Sequence, residues 1–117
     1  MQLKISKRTV DGIVAVECSG RIVFGEESSL LREEVKKALA EGAKRIVLNL
    51  SEISYIDSGG LGTLVALHTS AQHAGGKIKL AGLTKRVGDL LQVTKLVTVF
   101  DVHNTEHEAL EAFRKAA

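Results

Sequence analysis

The residues of this chain best suited to chemistry form one short run, Asp57-Ser58-Gly59-Gly60-Leu61-Gly62. It places a hydroxyl beside a carboxylate, followed by small residues that let another backbone come close. Just upstream, Ile46-Val47-Leu48-Asn49-Leu50 is a short apolar run of the kind that forms a buried strand. Downstream, Leu61, Leu64, Val65 and His68 recur at helical spacing, and Gly75-Gly76 is the stop signal. Ser58 therefore falls at the start of a helix, where unpaired N–H groups and the positive dipole end favour an anion. Two roles fit that position. Asp57 or Ser58 caps the helix while the glycines turn the chain, or the Ser58 hydroxyl carries a phosphate that the helix terminus tolerates.

Other chemistry finds less support. A nucleophile elbow needs glycine two residues before its serine, and Ile56 stands there. His68 lies ten residues beyond Ser58, about three helical turns away, which is too far to activate it. Gly60-Leu61-Gly62 begins a dinucleotide fingerprint, but Val65 occupies the place of its third glycine. No Lys followed by Ser or Thr supplies the phosphate loop of a nucleotide hydrolase. His68 and His73 are five apart, and His103 precedes the capping signal at Thr105, so neither pair has metal-ligand spacing. The expectation is a protein that is not an enzyme and that uses neither cofactor nor metal.

The elements that must position Ser58 follow from periodicity. Leu3, Ile5, Val10, Ile13, Val14 and Val16 bracket Asp11-Gly12, a two-residue hairpin signal. Val14, Val16 and Cys18 share one face of the second strand, which makes Cys18 a small core residue. Gly20 is expected to end that strand. Glu26 to Glu41 reads as a helix with Leu31, Val35, Ala38 and Leu39 as its apolar stripe and Gly42 beyond its end. A strand at 46–50, a loop at 51–56 and the helix from Ser58 to Ala74 come next. Ile78, Leu80 and Ala81 suggest a strand, Thr84 caps a short helix, and Leu96 to Val102 contains a last short strand. Thr105-Glu106-His107-Glu108 is a capping box for a final helix built on Ala109, Leu110 and Phe113.

The order β-β-α-β-α-β-α-β-α predicts an α/β fold, a mixed sheet of about four to five strands with four helices. Arg45–Leu50 is expected at its centre. The 117 residues suit one domain, 1–117, with no linker or repeat. Sixteen basic and fourteen acidic side chains give a formal charge of +2. That is too small and too evenly spread for a nucleic acid partner or an anionic membrane. No apolar run is long enough to insert into a membrane. One cysteine and no export signal point to the cytoplasm.

Taken together, the hairpin, the first helix, "RIVLNL", "YIDSGGLGTL", "GGKIKLAGL" and "VGDLLQVTKL" resemble the anti-anti-sigma factors of bacterial partner-switching systems. Their domain is called STAS, for sulfate transporter and anti-sigma factor antagonist. The resemblance spans essentially the whole chain, and its most specific piece is the junction, which in the family commonly reads Asp-Ser-Ser-Gly-Leu-Gly. It implies that Ser58 is phosphorylated by an anti-sigma factor that is also a serine kinase. The unphosphorylated form binds that kinase and frees the sigma factor, and a metal-dependent serine phosphatase of the PP2C type resets the cycle. Asp57, Ser58, Gly59, Gly60, Leu61 and Gly62 then make up the partner surface of a protein that is a monomer when free. Two departures stand out. Gly59 replaces the second serine, which leaves Ser58 as the acceptor within the motif and Thr63 as the next hydroxyl along the helix. Gly20-Arg21-Ile22-Val23 replaces a common Gly-x-Leu-Asp, and Val23 and Phe24 either add apolar partner contacts or simply finish the strand or cover the core. The alternative role is that of an unphosphorylated STAS module serving a transport or signalling complex.

Overall fold

Asp11 and Gly12 both adopt positive φ, 52° and 76°, as a two-residue turn between antiparallel strands requires. They join β1 (Leu3–Val10) to β2 (Ile13–Ile22), with Val10 opposite Ile13 and Leu3 opposite Gly20. The computed structural model describes residues 2–116. After the hairpin come α1 (Glu26–Ala40), β3 (Arg45–Ile56), α2 (Ser58–His73), β4 (Lys77–Ala81) and α3 (Lys85–Val93). A 3-10 turn at Leu96–Thr98, β5 (Asp101–His103) and α4 (Glu106–Lys115) complete the order. The five strands form one mixed sheet in the order β1-β2-β3-β4-β5, with every neighbouring pair after the hairpin parallel. This is the α/β architecture that the element order predicts.

β3 lies at the centre, and both its faces are covered. Ile46, Leu48 and Leu50 pack with Val16 and Cys18 against Leu31 and Val35 of α1, Leu64 and Leu67 of α2, and Val87 and Leu91 of α3. On the other face Val47 joins Ile13 and Ala81 beneath Ala109, Leu110 and Phe113 of α4. A strand buried on both sides needs apolar residues in succession, which is why 46–48 does not alternate. Cys18 belongs to this core, and burial pushes its thiol up to about 12, so it is not a nucleophile at neutral pH. Lys79 is buried under α4 with its ammonium on the Asp101 carboxylate and 4.8 Å from the centre of the Phe113 ring. A buried lysine needs such partners.

Two boundaries differ from the sequence expectation. Gly20 does not end β2: it stays in the strand at φ 116° and the pairing runs on to Ile22. The segment expected as a loop at 51–56 continues β3, with Gly20 opposite Ile53 and Ile22 opposite Ile56. The register slips twice along this stretch. Each slip inserts an extra residue in β3 and breaks the period-two alternation that marks a strand. The last strand is short, as expected, at Asp101–His103, and a 3-10 turn occupies Leu96–Thr98 before it. Among the described residues, no helix is long and apolar enough to cross a membrane.

Candidate functional site

The long β3 carries the chain to Asp57, which is extended (φ −102°, ψ −177°) and turns it directly into α2. Its carboxylate accepts the Gly60 N–H at 2.8 Å, so the cap of α2 is Asp57 and not Ser58. The same carboxylate accepts the Phe24 N–H, 3.1 Å from each oxygen. The Asp57 N–H in turn donates to the Ile22 carbonyl at 3.3 Å. The Gly60 N–H first, and the Phe24 N–H next, hold the Asp57 carboxyl below the usual carboxylate range. At neutral pH a fixed negative charge therefore stands one residue before Ser58, which is exposed in the first turn of α2.

The three glycines of the junction do different things. A Cβ at Gly60 would be driven into the Ile22 carbonyl and stand 2.9 Å from Ile56 Cγ1. Gly60 is buried, so the glycine is there for close helix-on-strand packing rather than for an approaching partner. A Cβ at Gly59 would stand 2.6 Å from Phe24 Cβ and 3.0 Å from its Cα. Gly59 is thus the seat on which Phe24 rests. A Cβ at Gly62 would meet nothing within 4 Å, and this residue faces solvent.

The structure therefore divides the residues that the sequence groups together. Ser58, Gly62 and Phe24 are exposed, with Phe24 at 82%, while Gly59 is half-buried between them. Leu61 points into the core at 7% exposure, and Val23 is half-buried with its carbonyl accepting the Ser28 N–H and hydroxyl. Thr63, the next hydroxyl along the helix, is 2% exposed. Its Oγ1 donates to the Gly59 carbonyl and accepts from Arg32, which removes it as a second acceptor.

Beside Ser58 an open groove of about 600 Å³ runs between the start of α2 and α3, with Tyr55 and Leu61 on one side and Arg86, Leu90 and Val93 on the other. The guanidinium carbons of Arg21 and Arg86 lie 5.2 and 5.5 Å from the centre of the Tyr55 ring, within cation–π reach. Val93 is 80% exposed at the groove's edge. Sequence reasoning missed this groove because Tyr55 was expected in a loop. The available signal was on α3: Arg86, Leu90 and Val93 share one helical face, away from the buried Val87 and Leu91.

These features match a known family. The STAS domain family model matches residues 4–109, and the chain belongs to the STAS-domain family of anti-sigma factor antagonists. It is 34% identical over 90 residues to the anti-sigma-B factor antagonist of Listeria monocytogenes, covering 74% of this chain and 79% of that protein. Similarity to the anti-sigma-B factor antagonist of Bacillus subtilis is 28% identity over 103 residues, covering 87% of this chain and 92% of that one. The crystal structure of TM1081 from Thermotoga maritima superposes with a TM-score of 0.84 at 27% identity, covering 94% of each chain.

Proposed function

We propose that this protein works by partner switching: unmodified, it binds an anti-sigma factor that is also a serine kinase, and phosphorylation of Ser58 ends that binding. The observation that carries this reading is the division of labour at the start of α2. Asp57 caps the helix, so the exposed Ser58 hydroxyl is not needed for capping and is open to modification. In the reaction the γ-phosphoryl group of ATP passes to Ser58 Oγ, the hydroxyl proton goes to a base on the kinase, and ADP leaves. The product carries about 1.5–2 more negative charges at this point.

That charge changes the surface without changing the fold. The helix dipole and the first N–H groups favour it, whereas the ionised Asp57 opposes it. Close packing of Gly60 on Ile22 does not involve the hydroxyl and keeps α2 in place. A partner that had closed over Ser58 then holds an unpaired buried charge, at a cost of several kcal/mol. Hydrolysis by a PP2C-type serine phosphatase restores binding. The protein acts by binding rather than catalysis, as one domain in the cytoplasm, monomeric when free. The accessory-module role draws less support, since the Listeria and Bacillus relatives are both anti-sigma factor antagonists.

The test is incubation with ATP and the anti-sigma factor kinase of the same organism, followed by mass spectrometry and a binding assay. Wild type should gain one phosphate and lose affinity, and Ser58→Ala should bind while gaining none. Equal phosphate uptake by Ser58→Ala, or no binding by the unmodified wild type, overturns the reading.

A further inference from the structure

Phe24 is an aromatic side chain displayed in water beside the residue proposed to be phosphorylated, and the Asp57 carboxylate binds its backbone N–H. The residue is 82% exposed and its Cβ rests on Gly59. Gly25, next in the chain, has φ 108° and no side chain to brace the loop. The flanking carbonyls are tied, Ile22 by the Asp57 N–H and Val23 by Ser28. The Phe24 N–H, at the other end of the Val23 peptide unit, donates to the Asp57 carboxylate, its one acceptor among the described residues.

We propose that Asp57 couples the charge on Ser58 to the seating of Phe24, so that phosphorylation loosens the apolar part of the partner surface as well as charging it. This rests on Ser58 being the phosphoacceptor. A phosphate on Ser58 competes with the Asp57 carboxylate for the N–H groups that open α2, and it repels that carboxylate from the adjacent position. The carboxylate either swings away or takes up a proton. In both cases the acceptor that holds the Phe24 N–H weakens, because charge-assisted hydrogen bonds are the strong ones.

The consequence for recognition is specific. Exposed aromatic side chains concentrate binding energy in protein interfaces, and a side chain held in its bound position costs less to immobilise on association. Phe24, with the ionised Asp57 carboxylate bound to its N–H, fits a protein partner that offers an apolar pocket with a basic group at its edge. Gly59 completes the arrangement. A serine there, as in the commoner family motif, would bring its Cβ into Phe24 and displace it.

Amide hydrogen exchange of the full chain, followed by NMR, tests the coupling. Three forms are compared: unmodified protein, protein with phosphoserine inserted at 58 during synthesis, and Asp57→Asn, which keeps a capping side chain. The Phe24 amide should exchange about tenfold to hundredfold faster in the second and third forms, the loss expected of one hydrogen bond to a charged group. Leu48 in the central strand should not change. An unchanged or slower Phe24 amide in the phosphorylated form overturns the proposal, and so does acceleration spread through the sheet to Leu48. A response to phosphate with none to Asp57→Asn removes Asp57 as the link and overturns it too. Because the phosphoserine is inserted without a kinase, this result stands apart from whether any kinase modifies Ser58.

Discussion

Gly60 of α2 lies against the backbone carbonyl of Ile22 in β2 with no room for a methyl group between them. That contact fixes the first turn of α2 relative to the strand that leads into the Phe24 loop. It also links the two segments that form the candidate partner surface, which lie more than thirty residues apart in sequence.

Gly60→Ala is expected to lower stability by about 1–3 kcal/mol, the usual cost of overpacking a filled site, and Gly60→Val by more. The obstruction is a backbone carbonyl, which cannot rotate aside as a side chain could. Thermal denaturation checks this, and an unchanged Tm for Gly60→Val would mean that α2 can lift from β2 freely.

Gly62→Ala should behave in the opposite way. The added methyl points into open space, and alanine is a better helix residue than glycine by about 1 kcal/mol. Tm should rise. If the partner packs its backbone against this face of α2, affinity should fall in the same variant, and the two measurements separate folding from recognition.

Removing the cap and removing the hydroxyl should have unequal effects. Asp57→Ala is expected to cost about 0.5–2 kcal/mol for the lost cap, with further loosening of the Phe24 loop. Ser58→Ala should stay within about 0.5 kcal/mol of wild type, as an exposed residue without a capping role. Chemical denaturation of the two variants side by side would show it, and an equal loss would mean that the hydroxyl caps α2 after all.

The acid limb of stability should carry a contribution from Asp57. Its folded carboxyl lies below the ordinary carboxylate range because the Gly60 and Phe24 N–H groups bind the charged form. Such a group stabilises the fold at pH values above its unfolded pKa, about 4 for aspartate, and loses that contribution as the pH falls toward the folded value. Wild type should therefore lose its advantage over Asp57→Asn below about pH 4. A stability difference that stays constant through that range would assign the effect to something other than ionisation.

Much of this architecture is legible in the chain because its signals are local. Asp11-Gly12 gives the hairpin, Thr84 and Thr105 cap the helices they precede, and Val47 and Leu48 are buried as a central strand requires. What escapes is non-local. The length of β3 is hidden because two bulges shift Ile53 and Ile56 out of a simple alternation. The inward role of Gly60 depends on Ile22, and the hold of Asp57 on Phe24 spans two elements that only folding brings together. The junction motif identifies where chemistry is poised, but not which of its glycines faces inward.

The placement of α4 has a bearing on how the molecule comes into being. The layer formed by α1, α2 and α3 can close over its side of the sheet once residues through Val102 are available, since its members lie at or before that point. Ile13, Val47 and Ala81, on the reverse side, are covered by Ala109, Leu110 and Phe113 of α4. During synthesis from the N-terminus, the nascent chain therefore presents a half-finished protein with one wetted apolar face. That exposure lasts until α4 leaves the ribosome, the interval in which the apolar face is open to other contacts.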